Sequence, residues 1–580
     1  MSRKNASAKK IPRLNPDGPV FSRARAIFSA LLLVGLPAAL VWHLAHLQVI
    51  PNMEKGFAFL QEQGEARTLR EEVIQSYRGV ITDRNGEILA VSTPVKSIVV
   101  NPQRFDLKNT SALAKALGVK TTELAAKIGR FGDKQFMYVA RNLPPQDAES
   151  IMALKLEGVS SEQGFQRFYP AGEVAAHVVG FTDIDDRGRE GIELALDEWL
   201  SGTPGSRRVV KDLKGNVVKD LGVLRAAASG KDVQLSLDLR LQYLAYRELK
   251  NAVAVQGAAS GSIVMLDAHT GEILAMANQP SYNPNNRTQI QPAQLRNRAI
   301  TDVIEPGSTM KPFTIVAALE SNRYAPSTKI DTNPGHWRVG GKTYSDFKNY
   351  GVIDLTTAIQ KSSQVAISKL AMDLPPEDLR DVFYRVGVGQ PSGTGFPGEA
   401  LGKLPNPRRW HPTERAALAF GHGLSVTALQ LAHAYTIFAT GGILRPSSIL
   451  KIEDAIEGTR VIDAEHAKQV MTMLKTVTQP GGTATRAQIK AYPVAGKTGT
   501  AHKVGEGGYA DDKYVALFAG LTPADNPEIV MVVIIHEPPE EHYYGGEAAA
   551  PIFAKVAEGS LRLLQVPPSL TLPSQNVAVR

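Results

Sequence analysis

The sequence predicts an α+β protein: one apolar N-terminal helix, a loop-rich α+β module, and a larger domain in which helices cover an antiparallel sheet and form a helical subdomain. Three observations lead there. Residues 26–45 form an uncharged apolar run, long enough to cross a ~30 Å hydrocarbon layer as a helix. Short strand-like runs broken by glycine continue to about residue 230. Dense apolar strand segments then occur at 262–277 and again at 514–535, with helix-length segments between them, so the chain leaves a sheet and returns to it late.

Length and composition agree with this reading. At ~100–200 residues per domain the chain makes roughly three folding units, and 43% hydrophobic with 21% charged residues over 580 positions is ordinary for globular structure. Cysteine is absent, which excludes thiolate nucleophiles, cysteine-ligated zinc, iron–sulfur clusters and disulfides together. No His-Glu-x-x-His occurs, and His536 and His542 flank Pro538-Pro539, so they cannot share a helix face. Neither a metal nor another cofactor is expected.

The formal charge of +8 is concentrated at the start, where residues 1–25 hold seven Lys and Arg against Asp17 alone. A basic stripe on the folded domains is therefore not indicated, and nucleic acid is not an expected partner. Cations ahead of an apolar helix place the N-terminus in the cytoplasm and the rest across the membrane. We therefore read 1–25 as a cytoplasmic basic tail, 26–46 as a single-pass anchor in the cytoplasmic (inner) membrane, and the remainder as extracytoplasmic. A cleaved signal peptide would have an apolar core of only ~7–15 residues.

Residues 46–75 mix polar and apolar positions at helical spacing, predicting a stalk helix. Residues 78–90 then show two short apolar runs around Asn85-Gly86, a strong hairpin signal. The module is read as 47–230 and the larger domain as 231–565. In the latter, Asp238 caps a helix over 239–255, 262–265 pairs with 272–277, and 514–521 and 529–535 are strands. Residues 566–580 read as a disordered Pro-rich tail.

Two phosphate-loop near-matches fail. The first glycine required before Lys497-Thr498 would fall at Ala491, and that before Lys342-Thr343 at His336. Without thiols, a serine with a built-in base becomes the candidate nucleophile. In Ser308-Thr-Met-Lys311, after Glu305-Pro-Gly307, a helix start puts Ser308 and Lys311 one turn apart on one face. Lysine can take the serine proton when burial and nearby positive charge lower its pKa, and the helix N-terminus adds donors for an oxyanion. The spacing alone is weak, since it recurs at Ser7, Ser345 and Ser448. Its companions raise it: Ser362-Ser363-Gln364, and the only Lys-Thr-Gly in the chain, Lys497-Thr498-Gly499 followed by Thr500, on a plausible edge strand.

This trio resembles the Ser-x-x-Lys, Ser-x-Asn and Lys-Thr-Gly motifs of penicillin-binding proteins and serine β-lactamases. Arg78-Gly79, Asp83-Arg-Asn-Gly86, Arg167-Phe-Tyr-Pro170 with His177, and Gly191-Ile-Glu193 are similar to pedestal (dimerisation-type) motifs of the class B family. Asn349-Tyr-Gly-Val352, Gly421-His-Gly-Leu-Ser-Val-Thr427 and Tyr543-Tyr-Gly-Gly546 look most like its septal type, FtsI or penicillin-binding protein 3.

The resemblance implies a penicillin-binding transpeptidase domain and a serine-type D,D-transpeptidase that cross-links peptidoglycan stem peptides and is acylated by β-lactams. It implies Ser308 as nucleophile, Lys311 as base, Ser362 as proton relay, Gln364 as amide donor, and Lys497 with Thr498 as holders of the terminal carboxylate. Gly499 would let the substrate backbone approach, the N–H groups of Ser308 and Thr500 would form the oxyanion hole, and Tyr514, Tyr543 and Tyr544 would line the cleft, although core packing suits them nearly as well. Implied partners are a membrane-embedded septal glycosyltransferase (FtsW type) and other division proteins. The elongation-type transpeptidase, a D,D-carboxypeptidase and a non-catalytic scaffold or sensor stay open as alternatives.

Two positions depart from the family. Gln364 stands where the family has Asn, reaching about 1.5 Å further; either the backbone retracts, or acylation is slow, or β-lactam selectivity changes. His422 stands where the family often has Tyr, and reads as a capping or packing residue.

Overall fold

The apolar run folds as α1 (Arg23–Gln48) in the computed structural model, which describes residues 22–49, 59, 62, 64, 68–212, 217–454, 456–505 and 508–569. The basic tail before Ser22, nearly all of the stalk and the end of the Pro-rich tail lie outside those residues. Ser22 starts α1 by accepting the Arg25 N–H on its hydroxyl. Residues 23–46 have a mean hydropathy of 2.1 and none of them is buried, which suits a membrane anchor, and Pro37 within α1 is tolerable in such a helix.

Leu69–Ile74, at the end of the expected stalk helix, is a strand. It pairs antiparallel with Gly205–Lys211, which pairs with Val217–Arg225. The cause lies far along the chain: Glu72 meets Arg207 at 2.8 Å and Lys211 at 2.9 Å across the ladder, contacts that local periodicity does not reveal. These strands and α1 belong to one compact unit, Met1–Ile74 with Pro204–Ala227; Gln75–Thr203 with Ala228–Arg580 forms another.

In the second unit, Asn85-Gly86 turns the chain between Ile81–Thr82 and Ile88–Val100. The Asp83 carboxylate accepts the N–H groups of Asn85 and Glu87 at 2.7 and 2.9 Å, and Gly86 takes the φ of +90° that the turn demands. Ile88–Val100 also pairs with Met137–Leu143 and Val159–Phe168, over a small separate core around Ile98, Leu113, Ile128 and Met137. Beside this sheet Glu193 is fully buried between two guanidiniums, with Arg78 Nε and Arg167 Nε each 2.6 Å from its oxygens. Burial also pushes the nearby Asp186 carboxyl up to about 6, against the pull of Arg78 and Arg167.

The larger sheet is antiparallel, in the order β2-β1-β5-β4-β3: β1 (Ser260–Asp267), β2 (Ile273–Gln279), β3 (Ala495–Gly505), β4 (Gly508–Thr522) and β5 (Ile529–His536). The chain does leave after β2 and return at β3. Every residue of β5 and β2 is buried, because helices cover both faces of the sheet, and so these strands read as continuous apolar runs without alternation. Packed on the sheet are α2 (Leu239–Gln256), started by Asp238, and α8 (Ala550–Leu563); α6 (Ala428–Ala439) packs on β1 and β5. Between β2 and β3 lie α3 (Lys311–Glu320), α4 (Leu355–Lys361), α5 (Gln364–Asp373) and α7 (Ala464–Thr478). The result leaves β3 as an edge strand facing the start of α3.

Glu193→Ala would leave the buried Arg167 guanidinium without an ion-pair partner among the described residues and Arg78 with Asp197 alone, and its expected cost is about 3–5 kcal/mol. Urea unfolding followed by limited proteolysis checks this; a midpoint equal to that of the native protein would contradict it.

Candidate active site

Ser308 lies in a short 3₁₀ turn, Gly307–Met310, that runs directly into α3. Pro312 occupies the first turn of α3, where no backbone bond is lost. Of the other serine-x-x-lysine matches, Ser345 is in a strand and Ser448 in an isolated bridge, and Ser7 is outside the described residues. The Ser308 turn is zipped to residues 419–426. Gly307 N–H donates to the Gly421 carbonyl at 3.2 Å, and a Cβ on Gly421 would stand 2.3 Å from the Gly307 oxygen. Glu305 holds the same loop, accepting the Gly423 N–H at 2.9 Å and meeting His422 Nδ1 at 2.7 Å. His422 also packs edge-on to Phe420, so it does pack and bond beside the turn.

The Lys311 and Lys497 side chains are fully buried and converge on one hydroxyl. Lys311 Nζ donates to the Ser362 carbonyl at 2.5 Å and to Ser362 Oγ at 3.1 Å; Lys497 Nζ reaches the same Oγ at 3.0 Å. Burial pushes the Lys311 amine down to about 7, against the opposing pull of the Asp346 carboxylate. Lys497 is held well below its ordinary value, first by burial and then by the charge of Lys311. Two ammoniums on one oxygen would repel, so the pair favours fewer than two protons. Ser308 Oγ is not among the hydrogen-bond partners of Lys311 within the described residues. That contact is one that substrate-free sites commonly leave open.

Ser362 occupies the junction of α4 and α5 with φ +58° and ψ 37°, a left-handed conformation that costs a non-glycine residue about 1–2 kcal/mol. Asp346, which the sequence motifs did not single out, braces it. Its carboxylate accepts the Gln364 and Val365 N–H groups at 2.6 and 3.1 Å and the Ser363 hydroxyl at 2.7 Å. Asp346 follows the hairpin His336–Val339/Lys342–Ser345, and only that fold brings it back to the second motif. Gln364 is thereby pinned by its own N–H, and its side chain lines the adjoining cavity.

Lys497, Thr498, Gly499 and Thr500 lie on β3, beside the Ser308 turn. A Cβ on Gly307 would be 3.4 Å from the Thr500 carbonyl oxygen, and one on Gly499 would be 2.8 Å from the Pro306 oxygen. Thr498 Oγ1 contacts Thr483 Oγ1 at 2.9 Å, a second neighbour absent from the motifs. Thr500 Oγ1 accepts the Gly545 N–H at 3.1 Å. Tyr514 stacks on Tyr543 at 4.0 Å and Tyr543 on Tyr544 at 4.4 Å. None of the three belongs to the core, and Tyr544 is 48% exposed. The hydrogen bond to Tyr544, with burial behind it, holds the Tyr543 phenol up at about 12.

An antiparallel sheet whose edge strand carries Lys-Thr-Gly beside a buried Ser-x-x-Lys turn defines the penicillin-recognising class of proteins. Residues 261–558 match the family profile described as penicillin binding protein transpeptidase domain, and residues 73–235 match penicillin-binding protein dimerisation domain. The chain belongs to the class B penicillin-binding proteins. It is 41% identical to the peptidoglycan D,D-transpeptidase FtsI of Escherichia coli K12, over 98% of this chain and 97% of that protein. It is 40% identical to the probable peptidoglycan D,D-transpeptidase PenA of Neisseria meningitidis serogroup A, over 96% of each. Among solved structures, penicillin-binding protein 3 of Mycobacterium tuberculosis with aztreonam superposes at a TM-score of 0.67, with 28% identity, covering 86% of this chain and 98% of that one.

Asp346→Ala should release three donors at the start of α5 and lower stability by about 1–3 kcal/mol. Denaturant titration reads this, and an unshifted midpoint would show that the brace carries no weight.

Proposed function

We propose that the chain is a peptidoglycan D,D-transpeptidase of the septal type, anchored by α1 with its N-terminus in the cytoplasm. The observation that carries the mechanism is the Ser362 hydroxyl held between two buried lysine amines beside Ser308. The D,D-transpeptidase activity for which the relatives are named and the near-complete overlap with them support the reaction.

Ser308 Oγ attacks the carbonyl carbon of the penultimate D-Ala. A C–O bond forms, the C–N bond to the terminal D-Ala breaks, and the leaving amine takes a proton. Neutral Lys311 accepts the serine proton, and Ser362 passes it toward that amine. The N–H groups of Ser308 and Thr500 stabilise the oxyanion, while Lys497 and Thr498 hold the terminal carboxylate. Gln364 bonds the donor's backbone amide from the cavity side, and the stacked tyrosines flank the bound chain. The amine of a second stem peptide then attacks the ester carbonyl and regenerates Ser308. Transfer to water instead gives a carboxypeptidase side reaction. The same serine opens β-lactam rings. A membrane-embedded septal glycosyltransferase of the FtsW type supplies the glycan, and α1 and the pedestal serve as contacts to division proteins.

Incubating the purified full chain with a peptide ending in D-Ala-D-Ala and an amine acceptor tests this. The expected outcome is D-Ala release with formation of the cross-linked product, both reduced at least ~1,000-fold in Ser308→Ala. Release without transfer would indicate the carboxypeptidase; no release from folded native protein would indicate a scaffold.

Lys311 also sets a pH signature. Its neutral form grows as pH rises, so acylation by benzylpenicillin should increase about tenfold per unit below pH ~7 and level off above it. Stopped-flow acylation between pH 5 and 9 reads the limb, and a flat profile would remove Lys311 as the base.

A further inference from the structure

In the compact unit that holds α1, Val217–Arg225 forms one border of the three-stranded sheet, and all nine of its residues are exposed. Opposed residues on neighbouring strands share a face. The register sets Leu69 beside Val210 and Lys219, and Val73 beside Ser206 and Arg225. One face therefore carries Leu69, Val73 and Val210, with Lys219 and Arg225 along its border, and Val73 in its first strand is 65% exposed. Contiguous exposed aliphatics of this kind mark a contact surface.

The two faces differ in charge. On the opposite one Glu72 meets Arg207 and Lys211, and Asp220 meets Arg207, so cations and carboxylates offset each other. On the aliphatic face Glu71 lies 4.0 Å from Arg208, while Lys219 and Arg225 have no carboxylate within ion-pair distance among the described residues. Uncompensated cations around aliphatic side chains complement a surface that is anionic at its face and apolar beneath, which is the chemistry of anionic lipid. A foreign strand fits the border less well. Register shifts interrupt the pairing of Val217–Arg225, and Gly222 takes φ +104° within it; such bulges spoil an edge as a template for strand addition. Lipid is also always close. Residues 49–68 join α1 to the sheet, and at ~3.5 Å per residue they hold it within about 70 Å of the end of α1.

We propose that the face bearing Val73, Val210, Lys219 and Arg225 rests on the anionic lipid surface of the membrane that α1 spans. The aliphatic side chains enter the headgroup layer and the two cations bind lipid phosphates, while the backbone stays outside the hydrocarbon, where its open border keeps water as a partner. Two charges and a few small aliphatics hold far less firmly than a spanning helix, so the contact is reversible and weakened by salt. The inference rests on α1 as the anchor and not on the transpeptidase chemistry.

The chain has no cysteine, so one introduced cysteine takes a single label. Full-chain V73C carrying an environment-sensitive fluorophore is reconstituted into phosphatidylcholine vesicles with and without phosphatidylglycerol, and nitroxide-bearing lipid is the quencher. A39C within α1 and T122C at the exposed start of the helix Thr121–Arg130 are the quenched and unquenched controls. Quenching at position 73 should be at least about threefold stronger with phosphatidylglycerol than without it. It should fall to the level of position 122 in about 0.5 M salt. K219E/R225E in the V73C background, with its fold checked by circular dichroism, should lose the preference for anionic vesicles; K219Q/R225Q takes its place if the charge reversal does not fold. Quenching at 73 no greater than at 122 in anionic vesicles would overturn the proposal, as would a preference that survives both salt and the charge changes. A label shielded from aqueous acrylamide only as protein density rises, without lipid quenching, would overturn it in favour of a second copy. Absence of quenching at position 39 would instead overturn the anchor reading, and the lipid contact with it.

Discussion

Two buried amines on one serine hydroxyl are the constraint around which the transpeptidase domain is organised. Lys311, Lys497 and Ser362 come from a helix start, an edge strand and a helix junction that are far apart in sequence. An ammonium removed from water without a counter-charge is costly, and here the nearest carboxylate influence on Lys311 is Asp346, bonded to the neighbouring motif rather than to the amine. The arrangement therefore lowers both amines instead of pairing them, which turns lysine, an ordinary surface cation, into a base usable near neutrality.

Holding that arrangement requires rigidity on every side. The left-handed Ser362 is retained because Asp346 and the Ser363 cap, whose hydroxyl accepts the Ala366 N–H at 3.0 Å, fix the backbone after it. The Ser308 turn is fixed through Glu305 and the bare Gly421. Gly499 admits the Pro306 carbonyl so closely that no side chain would fit. Several of the conspicuous glycines in the motifs are thus sites of backbone contact between β3, the Ser308 turn and residues 421 and 545.

The candidate site was legible because the chemistry proposed for it demands fixed short spacings: serine and lysine one turn apart, and lysine, threonine and glycine consecutive on a strand. The strands of the larger sheet were legible because burial on both faces makes them uninterrupted apolar runs. Leu69–Ile74 was misread as helix because its stabilising partners, Arg207 and Lys211, enter only through the sheet. Asp346, Glu305 and Thr483 were invisible for the same reason. Each is an ordinary loop or turn residue locally and becomes part of the site only through folding. Gln364 was flagged by its chemistry, and its placement in the cavity lining came from the structure alone.

The central claim is that Lys311 and Lys497 share a depressed titration. Carbon-13 NMR of the full chain labelled at lysine Cε, with Lys311→Arg and Lys497→Arg to assign the two signals, measures this directly. The account predicts two lysine resonances titrating well below the ordinary ~10.4, that of Lys311 near 7, with the Lys497 signal moving upward when Lys311 is neutral rather than charged. Both signals titrating with the surface lysines would contradict it.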